Sequence, residues 1–505
     1  MKSFAELQAD LGRAFALNRP GVTADHALVV LPSYSLGESL LSHYASRIPA
    51  LEHRFLVAHL MLHRVAGCEM VFLSCQPPGQ EILDYYTSLV PERHRASVRR
   101  RFRSVLVPDG SPRSIAAKLL DRPDLVDALR ESLAGRPAYI EAWNVTDAEV
   151  EVATRLQVPI YGTLPDLWPL GYKSAGRRLF AAAGVPSPVG CEGVRTAGDV
   201  LAAIAAVQAA RPAAAGVVIK YDDSGAGAGN AVIDLRSCSG QARADGRVRD
   251  LVHELPEWYL RGLRPGGVVE ELVTGTQFAS PSVQADITPD GRVTVLSTHE
   301  QVLGGETGQV YTGCRFPADP AYAAELARHG RAVGEQLARR GALGRFGVDF
   351  AAACDRAGSW RLFALEINLR RGGTSHPFVV LRNLVPGRYD TERGRWLAAD
   401  GTTRAYRATD NLVDPSWLGL PPPRVVEAVA DAGLQFDHRT GTGVVLHMLS
   451  CLAIDGRFGL TAIGRTPDHA AELYEATGAA VHAASADMGP RPPTLSMAPA
   501  VRAGE

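Results

Sequence analysis

Three oxygen-bearing side chains in the second half of the chain have the spacing of a metal site. In a strand, side chains two residues apart share a face, so Glu366 and Asn368 point the same way. If Ala357 and Gly358 form the two-residue turn of a hairpin, Asp349 lies opposite Glu366 on that face. Two carboxylates and an amide are oxygen ligands that suit Mg²⁺ when phosphate oxygens complete its shell. These residues predict a magnesium–phosphate site; a hairpin with solvated acids is the alternative.

A glycine-rich loop follows a strand that ends in lysine. Glycines let a backbone turn sharply and bring its N–H groups close to phosphate oxygens, and the lysine adds positive charge. The spacing matches neither a Rossmann fingerprint nor a P-loop. The candidate phosphate contacts are Lys220, Ser224, Gly225, Gly227 and Gly229.

Two acids interrupt the apolar run that emerges from the glycine turn at 266–267. Glu270 and Glu271 stand where further apolar residues would continue a strand. Such a hinge can bind the edge of an adenine base through its backbone and a carboxylate. An exposed strand end is the alternative.

Composition indicates a soluble intracellular protein with no global attraction to nucleic acid. The 505 residues carry 53 basic and 54 acidic side chains, a net charge of -1. Seven scattered cysteines without a Cys-x-x-Cys pair suit a reducing cytosol. The sequence shows no signal peptide and no apolar run near the roughly 20 residues of a membrane span. The basic run at 99–103 is interpreted as a solvated helix end.

Lysine is rare among the basic residues, which makes each lysine informative. Only Lys2, Lys118, Lys173 and Lys220 occur among the 53. A chain so biased toward arginine keeps lysine where a compact ammonium fits and a planar guanidinium does not. Chance survival is the alternative, so the context of each lysine decides.

The elements that must position these residues begin with alternating strands and helices, which predict a parallel, doubly wound sheet. The predicted strands are 26–31, 70–74, 104–107, 138–142 and 158–161, and the predicted helices are 51–65, 112–120, 125–133 and 147–156. A second unit has predicted helices 174–183 and 197–210 and strands 216–220 and 231–235. A third has strands near 267–273, 281–287, 293–298, 346–352 and 361–369 and a helix at 322–340. After a looser stretch, the pattern predicts helices 424–433 and 467–477 around an apolar run at 443–452.

Together and in this order, these pieces resemble the ATP-grasp superfamily of carboxylate–amine ligases. The strand Glu-Ile-Asn-Leu-Arg at 366–370 is similar to the superfamily's metal-binding strand, and Lys173 before a helix and Ala-Gly-Val-Pro also matches. The motifs at 344–350, 366–378 and 440–448 are similar, more closely, to peptide ligases of the pheganomycin type.

The resemblance implies an α/β protein in which a Rossmann-like domain precedes an ATP-grasp fold and a small α+β domain follows it. The implied domains are an N-terminal α/β domain at 1–168, a lid subdomain with the glycine loop at 169–265, a catalytic subdomain at 266–390, a C-terminal domain at 391–489 and a disordered tail at 490–505.

The resemblance also assigns roles in binding ATP and two Mg²⁺ ions. Asp349, Glu366 and Asn368 would hold the ions, with Glu366 bridging them. Lys173 and Lys220 would contact the α- and β-phosphates. The adenine would lie against Glu270 and the backbone near Leu272, and Gln277 stands near the position of the usual ribose-binding glutamate.

The catalytic assignments follow from the same resemblance. Arg370 would grip the transferred phosphoryl group, and the N–H groups of Gly372 and Gly373 would stabilise an oxyanion. His376 either takes part in catalysis or orients the turn before the next helix. The candidate substrate contacts are Arg345, Gln301 and Tyr311.

The function implied is amide bond formation between an amino-acid-like carboxylate and an amine or peptide, in peptide natural-product biosynthesis. ATP would activate the acid as an acyl phosphate and leave as ADP. A small-molecule kinase and a non-catalytic ATP-binding regulator are the alternatives. The expected partners are these small molecules rather than nucleic acid or membrane, in the cytoplasm, with a homodimer left open.

Overall fold

The computed structural model describes residues 2–35, 41–42, 45–224, 229–236, 241–304 and 310–486. Within them the strands form three sheets of five, four and eleven strands. Gly225 and Gly227 of the predicted phosphate loop and the predicted tail at 490–505 lie outside the described residues.

The N-terminal sheet is parallel, as predicted. Its strands are apolar runs with helices against them, and the central strand is buried throughout. In spatial order the strands are Phe102–Leu106, Cys68–Ser74, His26–Leu31, Ala138–Ala142 and Ile160–Tyr161. The helices of this region are Phe4–Ala9, Leu11–Leu17, Ile48–His53, Gln80–Ser88, Glu92–Arg101, Ile115–Leu120, Pro123–Leu133 and Asp147–Leu156, with 3₁₀ turns at Ala45–Arg47 and Pro165–Gly171.

Some predicted helices of this region have other bounds. The helix predicted at 51–65 is α-helical only to His53 and continues as the 3₁₀ helix Arg54–His63. The helices Gln80–Ser88 and Glu92–Arg101 were not predicted. The second of them ends in three arginines, which confirms that the basic run is a helix end. Cations at the C-terminus of a helix interact favourably with the helix dipole.

The lid sheet is antiparallel and has an apolar core of its own. Its strands in spatial order are Gly190–Glu192, Gly267–Glu271, Gly216–Tyr221 and Ala231–Asp234, and its helices are Ala197–Ala210, Gln241–His253 and Glu257–Leu263. The strand Gly267–Glu271 therefore lies in the lid sheet. A boundary at 265/266 would cut this sheet, because that strand pairs with both of its neighbours there.

The large sheet joins the catalytic hairpin to the C-terminal region. Its strands are Gln277–Ala279, Pro281–Ile287, Val293–Gly304, Val310–Phe316, Gly344–Cys354, Trp360–Asn368, Gly387–Asp390, Arg395–Ala398, Thr403–Val413, Gly443–His447 and Arg457–Gly464. Helices of this part are Lys173–Ala183, Ala323–Ala338, Ser375–Leu384, Pro422–Asp431, Leu452–Asp455 and Pro467–Ala486, with 3₁₀ turns at Pro415–Trp417 and Leu449–Cys451. Because Val310–Phe316 pairs with Thr403–Val413, the C-terminal strands extend the catalytic sheet.

One apolar core runs from the N-terminal sheet into the C-terminal region. Val29 and Phe72 of the N-terminal sheet belong to the same buried cluster as Phe378, Tyr406 and Leu460. The fold predicted from the resemblance is confirmed in its order of parts. Among the described helices, none has the combination of length and apolar character that crossing a bilayer requires.

Candidate active site

The predicted metal-site hairpin forms, and its register is the expected one. The strands Gly344–Cys354 and Trp360–Asn368 pair antiparallel, and Asp349 stands directly opposite Glu366. Asn368 lies two residues beyond Glu366 and shares its face. The hairpin thus brings the three predicted oxygen ligands together.

The turn of this hairpin differs from the prediction. The connection is a loop of residues 355–359 rather than a two-residue turn at 357–358. Next to the loop, Phe350 pairs with Ala364, whereas Asp349 pairs with Glu366, so Leu365 is an extra residue in a β-bulge. The bulge restores the pairing of the two acids that the longer loop would have shifted.

Asp349 is held by two amide donors. Asn368 Nδ2 donates to Asp349 Oδ2 at 2.9 Å, and Gln301 Nε2 donates to Oδ1 at 2.7 Å. Burial and the neighbouring Glu366 carboxylate raise the pKa of Asp349 to about 7. The paired carboxylates therefore carry a like-charge penalty that a bound cation would relieve.

Lys173 links the lid to the metal-site strand. Its ammonium donates to the backbone oxygen of Ser224 at 2.7 Å and to Ser224 Oγ at 3.0 Å. Its nitrogen also lies 3.9 Å from Glu366 Oε1. Burial lowers the pKa of Lys173, and Glu366 opposes that shift. Lys173, the first residue of its helix, thus places its ammonium at the start of the glycine loop, where a phosphate contact is predicted. Gly229, at the end of that loop, has a positive φ of 74° and packs on Tyr221.

Glu270 binds two cations in the interior of the lid. Its carboxylate accepts from Lys220 Nζ and from Arg177 Nη1, each at 2.6 Å. Glu270 is 1% exposed. Each carboxylate oxygen thus accepts from one cation, so the carboxylate holds Lys220 in place. Its contact with an adenine base stays a prediction.

The rest of the predicted nucleotide contacts divide into two groups. Leu272 lines the main cleft, although its N–H already donates to the Gly216 oxygen at 2.8 Å. Gln277 is exposed and pairs with Cys354 at the edge of the large sheet, next to Phe278, which lines the cleft. Its contact with the ribose stays a prediction.

The main cleft opens between the lid sheet and the large sheet. Its empty volume, counted with its mouth, is about 1830 Å³. It brings together most of the predicted site residues. The predicted residues that line it are Lys220, Glu270, Leu272, Gln301, Tyr311, Asp349, Glu366, Asn368, Arg370, Gly372 and Gly373.

Two arginines after the metal-site strand are held by the N-terminal domain. The guanidinium of Arg370 lies 4.5 Å above the ring of Trp143, and burial lowers the pKa of Arg370. Arg371 forms an ion pair with Glu141 and donates its N–H to the Trp143 oxygen at 3.0 Å. Glu141 and Trp143 lie at the carboxyl end of the strand Ala138–Ala142, where parallel sheets present ligand contacts.

The two glycines of turn 370–373 are not equivalent. The Gly372 N–H donates to Ser375 Oγ at 3.0 Å, so it is not available for an oxyanion, contrary to the prediction. Gly373 makes no backbone hydrogen bond through its N–H within the described residues. A Cβ at Gly373 would lie 2.5 Å from the ring of Tyr311, so the close approach of these residues requires glycine.

His376 belongs to a buried network with the C-terminal region. Its Nε2 lies 3.0 Å from Asp410 Oδ1, which also accepts from His447 Nε2 at 2.7 Å. Burial raises the pKa of Asp410, but Arg54 and the two histidines outweigh it and hold the pKa well below its usual range. Burial lowers the pKa of His376 to about 4. The three clustered side chains could hold a metal, but the ion pair of Arg54 with Asp410 already balances the carboxylate.

Arg345, a predicted substrate contact, lies away from the main cleft. Its Nε is 3.3 Å from Asp286 Oδ1, near Tyr161 and Gly162 of the N-terminal domain. The ion pair fixes Arg345 at the junction of two domains. It is therefore a structural contact in this arrangement.

Two family matches and one curated relative cover these elements. The family described as IQCH-like, ATP-grasp matches residues 252–375, and the PGM1 C-terminal domain matches residues 424–477. The L-propargylglycine--L-glutamate ligase of Streptantibioticus cattleyicolor is 33% identical over 416 residues, which cover 81% of this chain and 84% of that enzyme. The chain belongs to the ATP-grasp carboxylate–amine ligases. The predicted family and enzyme class are thereby confirmed.

More distant similarities extend along the ligase. The IQ motif-containing protein H of Danio rerio is 24% identical over 351 residues, and the match covers 58% of the ligase and 32% of that longer protein. The ADP complex of N5-carboxyaminoimidazole synthetase from Staphylococcus aureus aligns over 92% of the ligase and all of that chain, with 11% identity and a TM-score of 0.46. A biotin carboxylase domain from Hydrogenobacter thermophilus covers 89% of both chains at 12% identity, with a TM-score of 0.49.

Several residues of the ligase site were not predicted from the sequence. Arg177 stands one helical turn beyond Lys173, and that spacing on one helix face could have indicated it. Glu141 and Trp143 end a predicted parallel strand, which is also a usable signal. Asp410 and His447 are far apart in sequence and come together only through the pairing of C-terminal strands.

Proposed function

We propose that this ligase joins a carboxylic acid to an amine through an acyl phosphate. A substrate carboxylate oxygen attacks the γ-phosphorus of ATP, and the bridging oxygen leaves with ADP. The amine nitrogen then attacks the acyl carbon and loses a proton, while phosphate leaves with the electron pair of the C–O bond. The observation that carries the proposal is the main cleft, in which Lys220, the three oxygen ligands and turn 370–373 meet.

The lid residues would bind the nucleotide. Lys220 lies at the end of its strand with its ammonium fixed by Glu270, and it would meet the phosphates with no loss of side-chain freedom. Lys173 would meet them beside Ser224. The backbone beyond Glu271, near Leu272, would bind the adenine edge, as the cleft lining supports.

The oxygen ligands fit magnesium. Asp349 and Glu366 are paired carboxylates, and burial together with the Glu366 charge raises the pKa of Asp349, so a cation between them would be favoured. Asp349, Glu366 and Asn368 would hold two Mg²⁺ ions. Bound magnesium would neutralise the charge that develops on the transferred phosphoryl group. Gln301 and Asn368 orient the Asp349 carboxylate from both sides.

The turn 370–373 would stabilise the reacting acyl group. Arg370 presents a cation whose position is fixed by stacking on Trp143, so it can bind the acyl phosphate bidentately. The Gly373 N–H would donate to the oxyanion that forms when the amine attacks. Tyr311, packed on Gly373, would keep this backbone from shifting.

Both substrates of this ligase would be amino-acid-like. The similar enzyme of Streptantibioticus cattleyicolor is named for L-propargylglycine and L-glutamate. We place an amino-acid-like donor and an amino acid or peptide acceptor in this ligase, within peptide natural-product biosynthesis. The reaction would take place in the cytoplasm, where ATP is supplied.

An assay of ADP release tests the proposal. The enzyme is supplied with MgATP and a panel of L-amino acids and short peptides, singly and in pairs. We expect ADP only when two organic substrates are present, and ¹⁸O from a labelled donor carboxylate should appear in the phosphate. ADP and a stable phosphorylated product from one substrate would instead favour a kinase. No turnover with any pair, and no effect of Asp349→Asn on function in cells, would favour a non-catalytic regulator.

A further inference from the structure

A second cavity lies behind turn 370–373, which we call the inner cavity. It is bounded by the 3₁₀ helix Arg54–His63, the end of the strand Ala138–Ala142 and the helix Ser375–Leu384. The space inside it that the centre of a water-sized sphere can reach is about 40 Å³. Gly372 lines both this cavity and the main cleft. A molecule in the inner cavity would therefore lie next to the turn that would hold an acyl phosphate.

One of the three guanidinium groups in the inner cavity forms no ion pair within the described residues. Arg54 is paired with Asp410, and Arg371 is paired with Glu141. The guanidinium of Arg382 makes no hydrogen bond with the described residues and lies 6.0 Å from the ring of Phe378. Burial, together with the like charge of Arg345, lowers the pKa of Arg382 to about 10, although the Asp286 carboxylate opposes this shift. A half-buried cation without a partner is costly, and a bound anion would offset that cost.

Two neutral donors in the same cavity also lack acceptors. Asn383, which is 3% exposed, has no hydrogen-bond partner for Nδ2 among the described residues. Nε1 of Trp143, which is 9% exposed, likewise has no hydrogen-bond partner in the part of the chain that the structure describes. Buried donors are almost always satisfied in folded proteins, so a bound molecule that displaces either side chain slightly would supply an acceptor that the described residues lack. A carboxylate has two oxygens and about four lone-pair sites, enough for such a set of N–H donors.

The remaining walls are apolar. Phe55, Val57, Met61 and Val379 line the cavity beside the polar groups. A site with a few placed polar groups in an apolar wall is typical of small-molecule binding. It favours an organic anion with a hydrocarbon part over inorganic phosphate.

We propose that the inner cavity binds the amine substrate and that Arg382 binds a free carboxylate of that substrate. This assignment rests on the proposed ligase function. The donor's reacting carboxylate is consumed at the acyl phosphate, so we assign the carboxylate at this separate cation to the amine substrate; a second carboxylate on the donor is the rival, and the comparison with carboxamides below tests it. Arg382 lies about 10 Å along the helix axis from Ser375, at 1.5 Å per residue. Because side chains on a helix lean toward its N-terminus, the Arg382 side chain leans back toward turn 370–373. The substrate is therefore a small amino acid whose amine faces turn 370–373 and whose carboxylate faces Arg382.

The test compares free amino acids with their carboxamides as amine substrates. Each of the twenty L-amino acids and its α-amide is supplied with MgATP and the donor found in the panel. The variants are Arg382→Gln, Arg382→Lys and Asn383→Leu, and Arg331→Gln on an exposed helix face is the matched control. We expect the wild type and R331Q to prefer the free acid. For R382Q, the KM of the amine substrate should rise roughly 10- to 100-fold and the preference for the acid should vanish, with the KM of ATP unchanged.

The outcomes separate this inference from the proposed function. If amides form, but acid and carboxamide react equally well in the wild type, or R382Q keeps the preference, the inference is wrong and the ligase function stands. If no pair of substrates gives an amide, the proposed function fails. If R382Q does not fold, N383L and R382K decide: a preference reduced in N383L and retained in R382K supports the site, and an unchanged preference in N383L overturns it.

Discussion

Replacing Glu270 by glutamine distinguishes two roles for this carboxylate. One role is recognition of the adenine base, as the hinge pattern suggested. The other is positioning of Lys220, as the structure shows through the 2.6 Å contact with its ammonium. The substitution keeps the size of the side chain and removes its charge, so the two roles predict different losses.

The expected loss of stability follows from the contacts. Glu270 accepts from Arg177 and Lys220, and its side chain is 2% exposed. Breaking a buried ion pair by removing one partner costs about 3–5 kcal/mol. Arg177 keeps a second carboxylate, Glu192 at 2.6 Å, whereas Lys220 has no other partner among the described residues. We therefore expect a loss near the lower limit, about 3 kcal/mol, in the free energy of unfolding measured with urea.

Nucleotide binding gives the sharper result. Calorimetry should show ATP affinity falling roughly 10- to 100-fold in E270Q, because a charge-assisted phosphate contact is worth about 1.5–3 kcal/mol. Adenosine affinity should change little. In the double variant with Lys220→Met, the stability losses should be less than additive, since the second change removes the unpaired cation. The exposed Glu257→Gln in the same lid is the control.

Two results would refute this reasoning. An E270Q variant within about 0.5 kcal/mol of the wild type, the range of ordinary surface substitutions, would mean that the buried pair contributes nothing. An equal loss of affinity for adenosine and ATP would restore Glu270 to the adenine site.

Three further predictions concern other parts of the molecule. Asp349→Asn should lower ADP release by roughly 1000-fold, because several kcal/mol of metal-assisted charge stabilisation is lost, with no fall in the thermal unfolding midpoint; activity within tenfold would exclude the metal role. Gly373→Ala should lower kcat, since its Cβ would lie 2.5 Å from Tyr311, and Tyr311→Leu should restore part of it; an unchanged kcat contradicts the role of this contact. Burial raises the pKa of Glu52 from 4.5 to about 7, so Glu52 loses its proton at a lower pH in the unfolded chain than in the folded protein. The free energy of unfolding therefore falls as the pH rises between these two values. In urea unfolding, Glu52→Gln should lack this fall and gain roughly 3 kcal/mol on the wild type by pH 8, and parallel pH profiles would show the prediction to be wrong.

The metal-site hairpin was predictable because its signal is local. The alternation of side chains on a strand placed Glu366 and Asn368 on one face, and antiparallel pairing placed Asp349 opposite. The turn was predicted wrongly, since a loop of another length and a bulge at Leu365 together give the same register. Sequence patterns constrain which residues pair more firmly than how the chain turns.

The other misses come from contacts between distant residues. Nothing near Glu270 in the sequence indicates that Lys220 and Arg177 converge on it, because they lie 50 and 93 residues away. The strand Thr403–Val413 was not predicted because Arg404, a charged residue, is buried inside it and hydrogen-bonds the Gly441 oxygen. The inner cavity is built from three regions of the chain, so its lining appears only in the folded structure.

The separation of the lid sheet from the large sheet determines how such ligases could be recombined. The lid strands from Gly190 to Glu271 pair among themselves in the described chain and enclose their own core. A chimera that exchanges this block between relatives should keep every strand partner. A crossover at 390/391 would instead divide the pair Val310–Phe316 and Thr403–Val413 between two parents. The lid strands that carry Lys220 and Glu270 should therefore be transferable with their sheet, whereas the catalytic hairpin and the C-terminal strands must be inherited together.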